Sequence, residues 1–379
     1  MAKTNVRVGG AQAAVTRRMS RESDKTRRAR RCRLTAEAAP TSALAALALA
    51  AASACALAAA GIPLLSAATA APAAGALKAP VRPPKAGKDG MEVFLLPPGY
   101  RNADGSFNQE AIVAQQKRRL DVINEKLGLK MRMTETPHYL VLCDADAATA
   151  AQFVRWSEAL YASLCAQFGI DPKERVWDGK CMLLVFRSRA KFVEFARVFD
   201  SEHAADAGAF FAWEHYAAGE PECVHIAIPL DERDPKRLQE LFAHEGTHAF
   251  FQLYRRPVEL PLWLHEGLAE YMTVVNDPDL RGPKTAPAVA AARLMMPLDR
   301  LFKAVTGDDL KIQEYSIAFT LVDYLQQAGK TKFKQFVVLL KDGKDQDAAL
   351  KAAYGFDTEG LARRWRAALA AENGPPKRR

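Results

Sequence analysis

Two histidines, His244 and His248, lie four residues apart in a segment with helical periodicity, and their spacing constrains the fold of this chain most strongly. A helix has about 3.6 residues per turn, so both imidazoles fall on one face, one turn apart. Glu245 is rotated by about 100° from His244 and can stand beside an ion without binding it. Apolar residues support the helix on both sides of the pair: Leu238, Leu241, Phe242, Phe250 and Leu253. The pattern predicts a catalytic zinc site.

A catalytic zinc needs a third protein ligand and a fourth position that stays open for water. Tyr254 lies six residues after His248, which excludes the pattern with a third histidine at that place. Further on, LPLWLHEGLAEY predicts a second amphipathic helix that starts after Pro261 and contains Glu266. His265 is a competing ligand, but adjacent helical residues point about 100° apart, so only one of the two can face the ion. Either Glu266 or His265 therefore supplies the third ligand.

Together these two segments resemble the gluzincins, HExxH metallopeptidases whose third ligand is a glutamate on the next helix. WLHEGLAEY is similar to the WLxEGxAxY segment of the aminopeptidase N-type family and more similar to the EGLAEY of peptidase-MA-like bacterial proteins. The resemblance implies that His244, His248 and Glu266 bind Zn²⁺ and that Glu245 is the general base. It also implies that Glu270, one turn after Glu266, orients a ligand histidine from outside the coordination sphere.

The resemblance spans roughly residues 136–330 and implies one more catalytic residue. Tyr315, in QEYSIAFTLVDYL, occupies the position of a tyrosine that stabilises the oxyanion in the aminopeptidase N-type family. The alternative is a core position, because an apolar stripe at helical spacing contains Ile312, Tyr315, Phe319 and Val322.

The same comparison bears on where a substrate is cut. In the aminopeptidase N-type family a Gly-x-Met-Glu-Asn segment supplies a glutamate that binds the substrate's free amine. The corresponding stretch here is GAFFA, residues 208–212, with Phe211 in the place of that glutamate. We therefore favour endopeptidase over aminopeptidase activity. Glu214, three residues on, is the alternative amine ligand if the strand ends early.

The formal charge of +9 lies almost entirely in the first 40 residues. They hold 11 Lys or Arg against 3 acids, and residues 41–70 hold neither, so the rest of the chain is nearly neutral. This balance excludes a nucleic-acid partner for the folded body. A basic stretch, an uncharged Ala/Leu run and Ala-Thr-Ala at 68–70 are typical of a signal peptide cleaved near Ala70. We expect export to the bacterial periplasm or cell envelope; the alternative is membrane anchoring through residues 43–62.

The order of the predicted elements indicates an α+β fold, with a small N-terminal mixed sheet and helices followed by a mainly helical C-terminal lobe. The resemblance to the gluzincins implies that this fold is zincin-like. The predicted strands are HYLVLCDA, KCMLLVF, AGAFFAWEH and CVHIAIPL. We divide the chain into a basic leader with its signal peptide or anchor (1–70), a Pro-rich linker (71–90), an α+β lobe with an edge strand (91–234), a helical zinc-binding lobe (235–372) and a basic tail (373–379).

The cysteines after the leader have two possible states, disulfides or free thiols. Four cysteines follow the leader: Cys143, Cys165, Cys181 and Cys223. In an exported protein they could form two disulfides, and they could equally be buried thiols.

Four histidines have no ligand spacing among them and are predicted to be surface or hydrogen-bonded residues: His138, His203, His215 and His225.

These motifs predict an exported zinc-dependent metallopeptidase that acts on a peptide or protein substrate. Two other functions fit the same residues. One is a non-catalytic envelope protein that retains a gluzincin scaffold. The other is a zinc amide hydrolase acting on cell-wall material, because the ligand set does not distinguish peptide bonds from other amides.

Overall fold

A computed structural model of the chain describes residues 99–200, 202–215, 220–230, 234–255 and 258–372. The predicted leader, anchor segment, linker and basic tail lie outside these residues. Among the described helices, none combines the length and apolar character needed to cross a lipid bilayer.

Within the described residues, five strands form one mixed sheet in the order β1-β2-β3-β5-β4. The strands are β1 (Arg132–Glu135), β2 (Tyr139–Cys143), β3 (Cys181–Phe186), β4 (Phe210–His215) and β5 (Glu222–Pro229). Strands β2, β3 and β5 are parallel, while β1 and β4 run antiparallel to their neighbours at the two edges. The four predicted strands are confirmed. Strand β1 was not predicted, because its four residues are largely exposed and carry no apolar alternation.

Helices pack against the sheet and dominate the rest of the described chain, which also contains two 3-10 helices, Pro278–Leu280 and Gly307–Asp309. Four precede residue 234: α1 (Gln109–Lys126), α2 (Ala147–Phe168), α3 (Arg189–Phe199) and α4 (Glu202–Ala205). Eight follow it: α5 (Pro235–Leu253), α6 (Leu262–Asn276), α7 (Arg281–Arg293), α8 (Asp299–Phe302), α9 (Ile312–Gln327), α10 (Lys330–Lys341), α11 (Gln346–Tyr354) and α12 (Thr358–Glu372). The α+β fold with a mainly helical C-terminal part is thus confirmed.

Alternation along the central strands divides the core into two layers. Val141 of β2 and Leu183 of β3 belong to the same apolar cluster as residues of α2, α5 and α6. Leu140 and Leu184, one residue away on each strand, belong to the cluster that contains α1 and α3. Successive side chains of a strand point to opposite faces, so a central strand in a covered sheet is apolar throughout. Helix α5, which carries the HExxH motif, therefore has a sheet face behind it.

Helix α5 has a defined start and a buried end. The Asp234 side chain accepts a hydrogen bond of 2.9 Å from the backbone N–H of Lys236, and Pro235 occupies the first turn, where a missing N–H costs nothing. From Phe242 to Leu253 every residue of the helix is buried. The motif histidines are therefore held inside the protein on a fully packed helix.

The four cysteines are free and buried. Burial raises the pKa of the Cys143 and Cys181 thiols and brings that of Cys165 to about 11. A buried thiol with a raised pKa is a poor nucleophile and packs as a small apolar residue. Of the two predicted alternatives, the structure contains the buried thiols.

Helices α6 and α9 approach each other closely at Gly267. A Cβ atom on this residue would lie 2.5 Å from the carbonyl oxygen of Ala318 and 2.8 Å from a side-chain carbon of Val322. The nearest obstacle is backbone, so the helix itself would have to move. Gly267 therefore sets the distance between the two helices.

We expect Gly267→Ala to lower the free energy of unfolding by about 1–3 kcal/mol, as overpacking does in a well-packed core. Gly282→Ala is the control, since a Cβ on this glycine of α7 meets no atom within 4 Å, and alanine is the better helix former. Urea denaturation of both variants measures the difference. Equal stability of the two variants would contradict the close contact.

Candidate metal centre

Helices α5 and α6 bring His244, His248 and Glu266 together in the protein interior. The two Nε2 atoms are 3.0 Å apart. Glu266 Oε2 lies 3.5 Å from His244 Nε2 and 3.4 Å from His248 Nε2. All three side chains are buried. Three potential ligand atoms, one from each residue, therefore converge on a common point.

The spacing of these atoms fits a zinc ion. Zinc binds histidine nitrogen and carboxylate oxygen at about 2.0–2.2 Å in tetrahedral geometry, which places neighbouring ligand atoms roughly 3.3 Å apart. Glu266 Oε2 is fully buried and accepts no well-formed hydrogen bond from the described residues. A buried carboxylate oxygen without a hydrogen bond is destabilising, and a cation at the common point would offset that cost. The donor set of two imidazoles and one carboxylate is one that zinc uses in catalytic sites.

Glu266 is charged in this arrangement. Burial by itself raises the pKa of its carboxyl, but the imidazoles of His248 and His244 outweigh burial and hold the pKa well below its usual range. A deprotonated carboxylate is the form that binds a metal ion. Glu266 therefore presents a ligand oxygen at neutral pH.

Glu270 lies on the far side of His244 from the convergence point. Its Oε1 is 3.2 Å from His244 Nδ1, and Lys284 of helix α7 forms an ion pair with its Oε2. A carboxylate at Nδ1 fixes the ring so that the Nε2 lone pair faces the metal position. The structure thus places Glu270 where the resemblance implied an orienting carboxylate.

Glu245 is buried beside the three convergent groups but is not one of them. The backbone of Phe211, on edge strand β4, hydrogen-bonds to its carboxylate. Burial raises the pKa of Glu245, and the neighbouring imidazoles of His244 and His248 only partly offset this. The Phe211 ring stacks on the His248 ring with 5.3 Å between centroids. This carboxylate therefore stands next to the metal position without binding there.

His265 is adjacent to Glu266 in sequence and points elsewhere. Its ring centroid is 4.3 Å from that of His248, and it is not part of the cluster whose ligand atoms converge. Burial, helped by the charge of His248, holds the pKa of His265 well below its usual range, so the ring is neutral. The geometry agrees with the expectation that only one of the two neighbours faces the ion.

Tyr315 is half-buried on helix α9, close to the helix that carries Glu266. Ala318 lies one turn further along the same face of α9, and its carbonyl oxygen is the atom that leaves no room for a Cβ at Gly267. Ile312, one turn earlier, is 75% exposed, so the predicted core stripe is wrong at its first position. Whether Tyr315 stabilises an oxyanion stays a prediction.

Two of the other four histidines pair with carboxylates. His138 Nδ1 is 2.7 Å from Glu158 Oε2, and the buried His225 has its Nε2 at 3.1 Å from Asp200 Oδ2. These pairs agree with the prediction of hydrogen-bonded histidines. The side chains of the remaining two, at positions 203 and 215, lie outside the described part of the chain, as does that of residue 214.

Sequence reasoning missed the charged residues behind Glu270. Lys284 Nζ is also 2.7 Å from Glu240 Oε1, and Arg237 is 2.5 Å from Glu240 Oε2. One signal was available, since Glu240 precedes His244 by four residues and so shares its helical face. Lys284 gave no such signal, because it lies on a different helix.

Comparison with known proteins agrees with this site. Residues 236–371 match the family model of the Peptidase MA superfamily. The predicted resemblance is therefore confirmed: the helical part of the chain is similar to the Peptidase MA superfamily over these residues. The matched residues contain both helices that carry the candidate ligands and extend into α12, beyond the predicted limit at residue 330. They do not include the sheet. No curated protein sequence matches the chain.

Two solved structures are similar to the chain at low identity. Both are crystal structures of an M1 zinc metallopeptidase from Deinococcus radiodurans, one of them of a mutant. The match to the mutant structure has a TM-score of 0.38 at 16% identity and covers 62% of this chain and 51% of the matched chain. The match to the other structure has a TM-score of 0.36 at 16% identity and covers 65% of this chain and 53% of the matched chain. This chain thus spans about half the length of each.

Zinc affinity is expected to rise with pH. Burial lowers the pKa of His244, but contacts with Glu266 and Glu270 outweigh it and raise the pKa to about 10 in the metal-free protein. The raised pKa stabilises the metal-free protein fully below about pH 6.5, and this contribution is lost as the pH rises towards 10. Zinc must displace that proton, so we expect one zinc per chain and about one proton released at pH 7.5. Calorimetry in two buffers of different ionisation enthalpy measures both.

The same calorimetry of zinc binding on Glu266→Gln tests the third ligand. We expect this substitution to lower zinc affinity by more than about 100-fold, because even residues outside the coordination sphere cost 10–100-fold. Glu158→Gln is the control, since it changes a carboxylate paired with a histidine elsewhere. Unchanged zinc binding in Glu266→Gln would refute this ligand.

Proposed function

We propose that the protein is an exported zinc-dependent metallopeptidase in which His244, His248 and Glu266 bind Zn²⁺ and Glu245 is the general base. One observation carries this proposal: three convergent ligand atoms lie beside a buried carboxylate that is not a ligand. A structural zinc site is closed by four ligands, whereas a catalytic one has three and an open position. The match of this region to the Peptidase MA superfamily supports the same conclusion.

A bound zinc ion would supply Lewis acidity towards water and the substrate carbonyl. The Glu245 carboxylate accepts a proton from the attacking water and delivers it to the nitrogen of the leaving amine. Its raised pKa suits the first step, because a carboxylate with a higher pKa accepts a proton from water more readily. The hydrogen bond from Phe211 holds the carboxylate in position. Tyr315 would donate a hydrogen bond to the developing oxyanion.

Strand β4 offers a binding edge for an extended substrate. It is the last strand of the sheet and pairs with β5 on one side. In an antiparallel pair, alternate residues direct their N–H groups away from the partner strand. The backbone of Phe211 hydrogen-bonds to Glu245, so the side of β4 that points away from β5 faces the catalytic base. Because alternate residues of a strand direct their N–H groups to the same side, the backbone of Trp213 also faces this way. A peptide that adds to this edge would pass directly by the metal position.

The apolar character of this edge favours internal cleavage. Phe211 and Trp213 stack with 6.0 Å between ring centroids, and neither can neutralise a free amine. An aminopeptidase must bind that amine with a carboxylate, because burying an unpaired ammonium is costly. We therefore propose endopeptidase activity on a peptide or protein substrate. Export to the periplasm or envelope is proposed from the basic, apolar and Ala-Thr-Ala pattern of the first 70 residues.

Glu245→Gln is expected to retain zinc and to reduce peptide hydrolysis by at least about 100-fold, because the general base contributes that much and is not a ligand. A broad peptide library and metal analysis measure the two properties separately. A variant that hydrolyses peptides like the wild type would refute the role of Glu245. If the zinc-loaded wild type cleaves no peptide, a cell-wall fragment tests the amide-hydrolase alternative, and inactivity there as well would favour the non-catalytic scaffold.

Acetylation of the substrate's N-terminus separates the two peptidase types. We expect a cleaved peptide and its N-acetylated form to have kcat/KM values within about threefold of each other, because no free amine is bound; a lost charge pair would cost far more. Mass spectrometry of the products gives both the rate and the position of the cut. Loss of cleavage on acetylation would contradict the endopeptidase assignment and implicate Glu214.

A further inference from the structure

Charged residues continue from the metal position along helices α5 and α6 towards helix α7. Helix α5 presents Glu240, His244 and His248 at intervals of four residues, which places them in one row. Helix α6 presents Glu266 and Glu270 at the same interval. Helix α7 supplies the basic group that meets both Glu240 and Glu270.

That group is Lys284, whose ammonium bridges two carboxylates from different helices. Its Nζ is 2.7 Å from Glu240 Oε1 and also pairs with Glu270 Oε2. The Lys284 side chain is 17% exposed, and those of Glu240 and Glu270 are less exposed still. Ion pairs removed from solvent hold their geometry much more firmly than surface pairs do.

The bridge uses both oxygens of Glu270. Oε2 is held by Lys284, while Oε1 faces His244 Nδ1 at 3.2 Å. An ion pair on one oxygen restricts rotation of the carboxylate and keeps the other oxygen near Nδ1, so the orientation of the His244 ring depends on the lysine. Glu240 is itself fixed by Arg237 at 2.5 Å, which anchors the row at its outer end.

We infer that Lys284 is a positioning residue of the metal site: it holds Glu270 against His244 Nδ1 so that His244 Nε2 faces the ion. Glu240 assists by holding the lysine from the other side. The inference rests on the metal site of the proposed function but not on peptide hydrolysis. It predicts that a residue on a helix without metal ligands controls zinc affinity.

The test is the zinc dissociation constant of full-length Lys284→Met, measured by competition with a chelator of known affinity. We expect a rise of about 10–100-fold, as for other groups that orient ligand histidines. Lys284→Arg can still reach both carboxylates and should restore affinity to within about threefold of the wild type. Lys180→Met is the matched control, because Lys180 is 16% exposed and pairs with Glu135 at 3.0 Å, far from helix α6 in sequence.

The melting temperature of each metal-free variant separates positioning from general destabilisation. Lys284→Met and Lys180→Met should lose comparable stability, while only the former loses zinc affinity. A dissociation constant within threefold of the wild type, or an equal rise in the control, overturns the inference. If Lys284→Met does not fold, Glu240→Gln decides: a rise of about 3–10-fold supports the inference and no rise overturns it. A wild-type protein that binds no zinc would instead refute the metal site proposed above.

Discussion

The burial of Glu266 between two imidazoles is the interaction on which the site depends. Its charged oxygen has been removed from water and, among the described residues, faces only the Nε2 atoms of His244 and His248. Such a group is tolerable with a proton on one imidazole or with a cation at the common point. The metal-free protein uses the proton, since the pKa of His244 is raised to about 10. Proton and metal therefore compete for one position.

Helical periodicity made most of this site predictable from the sequence. Spacing of four residues fixed the relation of His244 to His248, and the rotation between neighbours showed that only one of Glu266 and His265 can face the ion. Both are properties of a single helix and need no tertiary information. The choice of Glu266 came from the resemblance of WLHEGLAEY to the gluzincins. The strands β2, β3 and β5 were equally accessible, because buried parallel strands form continuous apolar runs.

Features that depend on contact between distant elements were not predictable. Strand β1 forms only because β2 offers it an edge, and its own four residues show no strand pattern. Lys284 meets Glu240 and Glu270 through the packing of three helices, and nothing in its neighbouring residues indicates that. The prediction that Ile312 belongs to a core stripe was wrong for the opposite reason. Its spacing fits such a stripe, but the residue lies at the exposed first turn of α9.

The close contact at Gly267 sets how near the helix of Glu266 lies to the helix of Tyr315. Any side chain at position 267 would meet the backbone of Ala318, so this spacing depends on the absence of a Cβ there. Exposed positions of α9 take no part in that contact, and Ile312, one turn from Tyr315, is 75% exposed. The surface of α9 around Tyr315 can therefore change in sequence while the two helices keep their spacing.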